Sequence, residues 1–210
     1  NHTQIQNNQI WYTVSNKLPI KINQSSGPRI VSNEYDQASG YYIITYESEI
    51  NTIPQSYFSG QSELTSVILP NSVNSIGHWA FALCNCLADI TLSNSLSYIG
   101  SYAFESCDLS SLTLPNRLMD ISPDAFKWSS ISHLEGEQVA DDGISLIING
   151  TLAAIAPLGI NGEYVVPIEA TTIANAVFKD CYNIQNIVIH DNVTSIGNEA
   201  FMNCLENSSI

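Results

Sequence analysis

The chain has 210 residues, 44% apolar and 12% charged, with 6 basic against 20 acidic side chains and a formal net charge of −14. A chain so short of lysine and arginine is a poor partner for nucleic acid, whose phosphates demand cations. No run reaches the roughly 18 apolar residues of a membrane-spanning helix, and no basic stretch followed by an apolar one opens the sequence as a secretory leader would.

Residues 1–40 carry no repeat. Ile10 to Val14 and Arg29 to Ser32 read as short strands, with Ser25-Ser26-Gly27-Pro28 as the loop between them. An array of repeats must have its first apolar edge covered, so 1–40 is expected to be an N-terminal cap and 41–210 the array.

From Tyr41 onward the text repeats. Phe58, Phe81, Phe104, Phe126, Phe178 and Phe201 are spaced by 23, 23, 22, 52 and 23 residues, and a fixed period of this length predicts a solenoid. Five residues before each phenylalanine stands an isoleucine: Ile53, Ile76, Ile99, Ile121, Ile173 and Ile196. Further upstream an apolar triplet recurs as Leu64, Val67 and Leu69, then Leu87, Ile90 and Leu92, then Leu109, Leu112 and Leu114, and finally Ile184, Ile187 and Ile189, with Tyr41, Ile44 and Tyr46 in the same slots ahead of Phe58.

The triplet alternates with period two and is closed by Pro70, Pro115 or Pro167, which reads as a short strand. Ile76, Ala80, Phe81 and Cys84 stand at offsets of four, five and eight, which at about 100° per residue share one side of a helical turn. Gly77, Gly100 and Gly197 follow the isoleucine, where the backbone turns or passes close to a neighbour. One unit has apolar edges and no partner within itself, so it is stable only when stacked.

The 52-residue interval is two periods plus six. Within it, Ile131 and Leu134 keep the strand slots, and the apolar runs Ile144 to Ile148 and Leu152 to Ala156 flank Asn149-Gly150, a two-residue hairpin signal. A β-hairpin inserted at about 137–160 is expected, with Tyr164, Val166, Ile173 and Phe178 resuming the array. At the other end the residues after Cys204, LENSSI, leave the last strand near an open edge. That edge is expected to be covered by the tail or to pair with a second copy of the chain.

The phrases LTSVILPNSVNSIGHWAFALC, ITLSNSLSYIGSYAFESC and IVIHDNVTSIGNEAFMNC resemble the BspA-type leucine-rich repeats of bacterial surface proteins, closely from Tyr41 to Cys204. The opening IWYTVSN with IVSNEYDQASG is similar to the leader module that precedes such repeats. The resemblance implies an α/β solenoid: a curved, right-handed leucine-rich-repeat coil with short parallel strands on one face and short helical turns on the other. It also implies a cell-surface or secreted location and a role in adhesion or recognition, and it brings no catalytic motif.

No catalytic, cofactor-binding or metal-ligating residues are assigned, and no cofactor is expected. Cys84, Cys107, Cys181 and Cys204 fall three residues after a phenylalanine, as buried unpaired thiols in a stacked apolar column would; Cys86, outside that slot, is the accessible one. His2, His78, His133 and His190 are expected in solvent. The carboxylates of Asp141 and Asp142 precede Gly143 as in an ordinary turn. Between the core slots, outward strand residues line up across repeats: Ser66, Ile68, Asp89, Thr91, Ser111, Thr113, His133, Glu135, Asn186, Val188 and His190. This shallow polar row suits a protein, a peptide or a glycan on host or neighbouring cells rather than a deep small-molecule pocket. The alternative is a structural scaffold or spacer that presents other domains of a surface protein.

Overall fold

A computed structural model describes residues 5–22, 24 and 26–204. The chain begins with β1 (Gln9–Val14), β2 (Ile30–Asp36) and β3 (Tyr41–Tyr46), which pair antiparallel in the order β2-β3-β1. β4 (Thr52–Ile53) and the turn around Phe58 start the coils. β5 (Leu64–Ile68) and β6 (Ser75–Ile76) form the next coil, followed by β7 (Asp89–Thr91) with β8 (Tyr98–Ile99), and β9 (Ser111–Thr113) with β10 (Asp120–Ile121). Then come β11 (His133–Glu135), β12 (Ser145–Ile148) and β13 (Thr151–Ile155), then β14 (Gly162–Val165) with β15 (Thr172–Ile173), and β16 (Ile184–Val188) with β17 (Ser195–Ile196).

Each coil has three sides. The first is the longer strand, parallel to its neighbours in the pairs β5–β7, β9–β11 and β14–β16. The second is the two-residue strand that carries the isoleucine, paired in register as Ile53↔Ile76, Ile76↔Ile99 and Ile99↔Ile121. The third is a run of turns that carries the phenylalanine. Val67, Ile76, Phe81, Ile99, Phe104 and Ile173 are fully buried, so the repeated slots form continuous columns through the interior. Burying each such side chain contributes about 1.5–3 kcal/mol. Phe58, Phe81 and Phe104 stack at 5.0 and 5.4 Å, and Phe178 stacks on Phe201 at 5.4 Å.

The third side is not helical, and among the described residues there is no helix. Alternate N–H groups close i→i+3 turns, as Ala80 to Gly77, Ala82 to Trp79 and Cys84 to Phe81 do, while those between, of Trp79, Phe81 and Leu83, donate to Ser101, Ala103 and Glu105 of the next coil. Trp79 and Leu83 adopt φ of 53° and 61°, a left-handed conformation that a helix excludes. A chain of turns buries the same offsets of four, five and eight that a helix would.

Gly77, Gly100 and Gly197 pass against the preceding coil as expected. A Cβ on Gly77 would lie 2.7 Å from the backbone nitrogen of Gln55, and one on Gly100 would lie 2.8 Å from that of His78.

The first strand, the hairpin and the last coil also differ in detail from expectation. Tyr41, Ile44 and Tyr46 are not the first parallel strand of the array; β3 lies between β2 and β1, and it is β1 that pairs with β5, antiparallel through Tyr12↔Val67. Ile10, Tyr12, Ile44 and Tyr46 thereby bury their side chains against the first coils.

The expected hairpin is present, and one of its strands also belongs to the array. β12 and β13 pair antiparallel around Asn149 and Gly150, both at positive φ, but β13 also pairs parallel with β15, Leu152 opposite Ile173. Leu152 is fully buried in the isoleucine column, so β13 is the second side of its own coil. From there Ala156 to Asn161 leads directly to β14, and this coil has no phenylalanine turn.

Ile196, finally, is 50% exposed. It lies on β17, beyond which no described strand stacks. The tail expected to cover this edge, residues 205–210, lies outside the described residues, as does His2.

Candidate functional site

The outward row on the first side divides into parts. Ser66 and Ile68 are half-buried because β1 lies beside them: Thr13 is opposite Ser66 and Trp11 opposite Ile68, and the Thr13 and Ser66 hydroxyls are 2.6 Å apart. Asp89, Thr91, Ser111, Thr113, His133 and Glu135 are exposed. The pairs Ser66↔Asp89, Ile68↔Thr91, Ser111↔His133 and Thr113↔Glu135 are in register, and Thr113 Oγ1 donates to Glu135 Oε2 at 3.2 Å.

β7 and β9 are spatial neighbours in different hydrogen-bonded sheets. A hollow opens there, lined by Asp89, Thr91, Asn94, Thr113, Asn116, Arg117 and Glu137. Its charge is mixed, with the Arg117 guanidinium sharing the hollow with the Asp89 and Glu137 carboxylates and the Asn94 and Asn116 amides, over a floor that includes Ile90, Leu92 and Leu114.

The row stops after β11. Leu134 donates its N–H to the Gly143 carbonyl, so the loop before β12 occupies the next strand position. Asp142 shapes that loop: its carboxylate accepts from the N–H groups of Ile144 and Ser145 at 2.8 Å. Asn186 and Val188 are exposed on the separate β14–β16 pair, where Asn186 donates to Glu163. His190 is past the end of β16 and half-buried, with Nε2–H donating to Pro167 O at 2.8 Å and Nδ1 accepting from Asn192 N, so it is not an outward strand residue.

His78 is likewise engaged rather than solvated. Its Nδ1 accepts from Ser101 N at 2.9 Å and its ring packs on Trp79. Sequence reasoning missed Trp11, Asn94 and Arg117, which border the row. The alternation in IWYTV, with Ile10 and Tyr12 inward, was a signal for Trp11; Asn94 and Arg117 come from the turns after the strands, where no period marks them.

The cysteine column is inert packing. All five thiols are unpaired; Cys84, Cys107 and Cys204 are buried, Cys181 is half-buried rather than buried as expected, and Cys86 is exposed. The Cys84 and Cys107 thiols donate to the Phe58 and Phe81 carbonyls of the preceding coil at 3.1 and 3.2 Å, and Ser129 in the same slot turns to Phe126 O. Burial pushes the Cys84 and Cys181 thiols up to about 12, the opposite of an activated nucleophile. Among the described residues no helix is long and apolar enough to cross a membrane.

A family model for the BspA-type leucine-rich repeat region matches the chain in six copies, over residues 4–135 and 163–210, and the chain belongs to that family. The interval it passes over, 136–162, is the coil that carries the hairpin and lacks its phenylalanine turn.

Several solved structures share the fold. A leucine-rich cell surface protein from Faecalibacterium prausnitzii is 24% identical, aligns over 75% of this chain and 44% of its own, and has a TM-score of 0.60. The pneumococcal vaccine antigen PcpA is 23% identical, with 84% and 54% covered and a TM-score of 0.60. A leucine-rich-repeat protein from Eubacterium ventriosum is 19% identical, with 75% and 50% covered and a TM-score of 0.56. The chain thus spans about half the length of these relatives. No functionally curated protein matches it.

Proposed function

We propose that this BspA-type chain is a non-catalytic recognition module of an extracellular or cell-surface protein, and that it binds a protein or glycan through the first-side row between β5 and β11. The observation that carries this reading is the row of exposed polar side chains, Asp89 and Thr91 in register with β5, and Ser111 and Thr113 in register with His133 and Glu135, held on columns of buried residues. A rigid scaffold fixes such groups at the roughly 4.8 Å strand spacing, so several weak hydrogen bonds form with little ordering cost on the protein side. The surface location is supported by the description of the Faecalibacterium relative as a cell surface protein.

The test is an array of glycans and matrix proteins probed with the wild-type chain and with a variant carrying Asp89→Ala, Thr91→Ala and Glu135→Ala. The expected outcome is a specific signal that the triple variant loses at least tenfold while its circular dichroism is unchanged. Binding that survives the triple substitution, or no binding to any target, overturns the assignment and leaves the spacer reading.

A further inference from the structure

The third side contains a gap where the coil of β11 and β13 lacks its turn. Elsewhere each turn is sewn to the next by two or three backbone hydrogen bonds of the same pattern, two of them, from Phe104 to Ala125 and from Ser106 to Lys127, at the step before the gap. The N–H groups of Ser56, Phe58 and Gly60 donate to the carbonyls of His78, Ala80 and Ala82; those of Trp79, Phe81 and Leu83 donate to Ser101, Ala103 and Glu105; and those of Ala176, Phe178 and Asp180 donate to Asn198, Ala200 and Met202.

At the gap the sewing stops. Among the described residues, the N–H groups of Asp124, Phe126 and Trp128 have no acceptor, and the facing carbonyls of Asn175 and Val177 have no donor. The third facing carbonyl, that of Lys179, takes the Lys127 ammonium at 3.3 Å, which also pairs with Asp180 at 2.5 Å. A buried Asp124 oxygen is likewise without a partner. Donors at alternate residues on one wall and acceptors at alternate residues on the other form the two edges that a single extended or turned chain bridges.

The space has the matching size and character. It is a hollow of about 420 Å³ whose lining includes Trp128, Pro157, Leu158, Val177 and Tyr182, with Trp128, Leu158 and Tyr182 exposed by 61, 58 and 63%. Omission of one coil step separates the walls by about 10 Å, twice the usual strand spacing. The phenylalanine column is broken at the same level: Phe58, Phe81 and Phe104 stack with Phe126 tilted beyond them, Phe178 stacks on Phe201, and the other ring partner of Phe178 is the edge-on Tyr164 at 5.1 Å rather than a phenylalanine.

We propose that this slot binds an aromatic-bearing peptide segment of a partner protein, whose backbone completes the sewing between Phe126 and Phe178 and whose aromatic side chain fills the apolar hollow. This site is on a different side of the coil from the strand row and does not depend on it. A peptide bound in the register of the native turns accepts from Asp124, Phe126 and Trp128 N–H and donates to the Asn175 and Val177 carbonyls, while the Lys179 carbonyl keeps the Lys127 ammonium. The partner's backbone supplies affinity and its side chain supplies selectivity, as in addition of a strand to a sheet edge.

The chain's own turn is the natural probe. A capped heptapeptide of residues 100–106, Gly-Ser-Tyr-Ala-Phe-Glu-Ser, is titrated into the full chain with Trp128 fluorescence and residue-resolved amide exchange as readouts. Saturable binding is expected, with exchange at Asp124, Phe126 and Trp128 slowed at least tenfold. Affinity should fall at least tenfold when the peptide phenylalanine is replaced by serine, when its nitrogen is methylated so that it cannot donate to Val177 O, and when the exposed Leu158 is changed to Arg in the protein. No binding at millimolar peptide, equal binding of the N-methyl peptide, or binding of methyl glucoside in place of the peptide would each overturn the assignment.

Discussion

Phe81 and Phe201 occupy the same slot with different neighbours, and this difference fixes what their loss costs. Phe81 is fully buried between Phe58 at 5.0 Å and Phe104 at 5.4 Å. Phe201 is half-buried and has one ring partner, Phe178 at 5.4 Å. Phe81→Ala loses the whole side chain's transfer energy, leaves a cavity bounded on both sides, and breaks two stacks, about 4–5 kcal/mol in all. Phe201→Ala breaks one stack and opens onto solvent, about 1.5–2.5 kcal/mol. Urea denaturation followed by far-ultraviolet circular dichroism measures both. All three tryptophans, Trp11, Trp79 and Trp128, precede the gap. Stability in a solenoid is a sum of nearest-neighbour terms, so Phe201→Ala should shift the dichroism transition ahead of the fluorescence transition, whereas Phe81→Ala should shift both. Equal losses from the two substitutions would refute the nearest-neighbour account of the phenylalanine column.

Further outcomes follow from other contacts. Gly77→Ala places a Cβ 2.7 Å from Gln55 N, a backbone atom that cannot swing away; a loss of about 1–3 kcal/mol is expected in thermal melts. The Cys84 thiol, pushed up to about 12 by burial against an ordinary value of 9.0, stays protonated in the folded chain while the unfolded chain ionises. Its stabilising effect is therefore complete below pH 9 and is lost progressively between pH 9 and 12, by about 1.4 kcal/mol at pH 10. Urea titrations at pH 7 and 10 should show that Cys84→Ser removes this part of the alkaline loss, and an unchanged loss would contradict it. A thiol reagent at pH 8 should label Cys86 alone on the fast timescale in the native chain and all five cysteines in denaturant. The Lys127–Asp180 pair, with side chains 10 and 16% exposed, braces the walls of the gap, and the Lys127 ammonium, followed by the Asn203 amide, holds the Asp180 carboxyl below the usual carboxylate range. A double-mutant cycle with Lys127→Met and Asp180→Leu should give a coupling of about 0.5–3 kcal/mol.

What was legible in the sequence is what every coil must do alike. Ile53, Ile76, Ile99, Ile121, Ile173 and Ile196 fall into one column because each stands five residues before a phenylalanine, and all but Ile196, on the last described strand, are buried. What misled was a spacing that two structures satisfy. Tyr41, Ile44 and Tyr46 fit the triplet, but β1, contributed from earlier in the chain, intervenes between them and β5. Offsets of four, five and eight fit a helix, yet the neighbouring coil takes every second N–H and the positive φ of Trp79 and Leu83 excludes a helix. The candidate row was legible as an alternation. Its interruption was not, because the residue beside β11 comes from a loop of no fixed period.

A periodic chain has its information about partners where the period fails. The positions common to all coils are occupied by packing, and their substitution reports on stability. The outward row differs from coil to coil in residue type while keeping its geometry, which suits selection of a ligand without disturbance of the core. The coil of β11 and β13 goes further: it keeps its first and second sides, with Leu134 and Leu152 buried in their columns, and leaves out the third. The interior on those two sides remains continuous, so the omission costs the array one ring and one set of turn hydrogen bonds rather than its fold. An open backbone edge flanked by exposed Trp128, Leu158 and Tyr182 is the physical consequence, and a mobile chain segment with an aromatic side chain satisfies the donors, the acceptors and the apolar walls together.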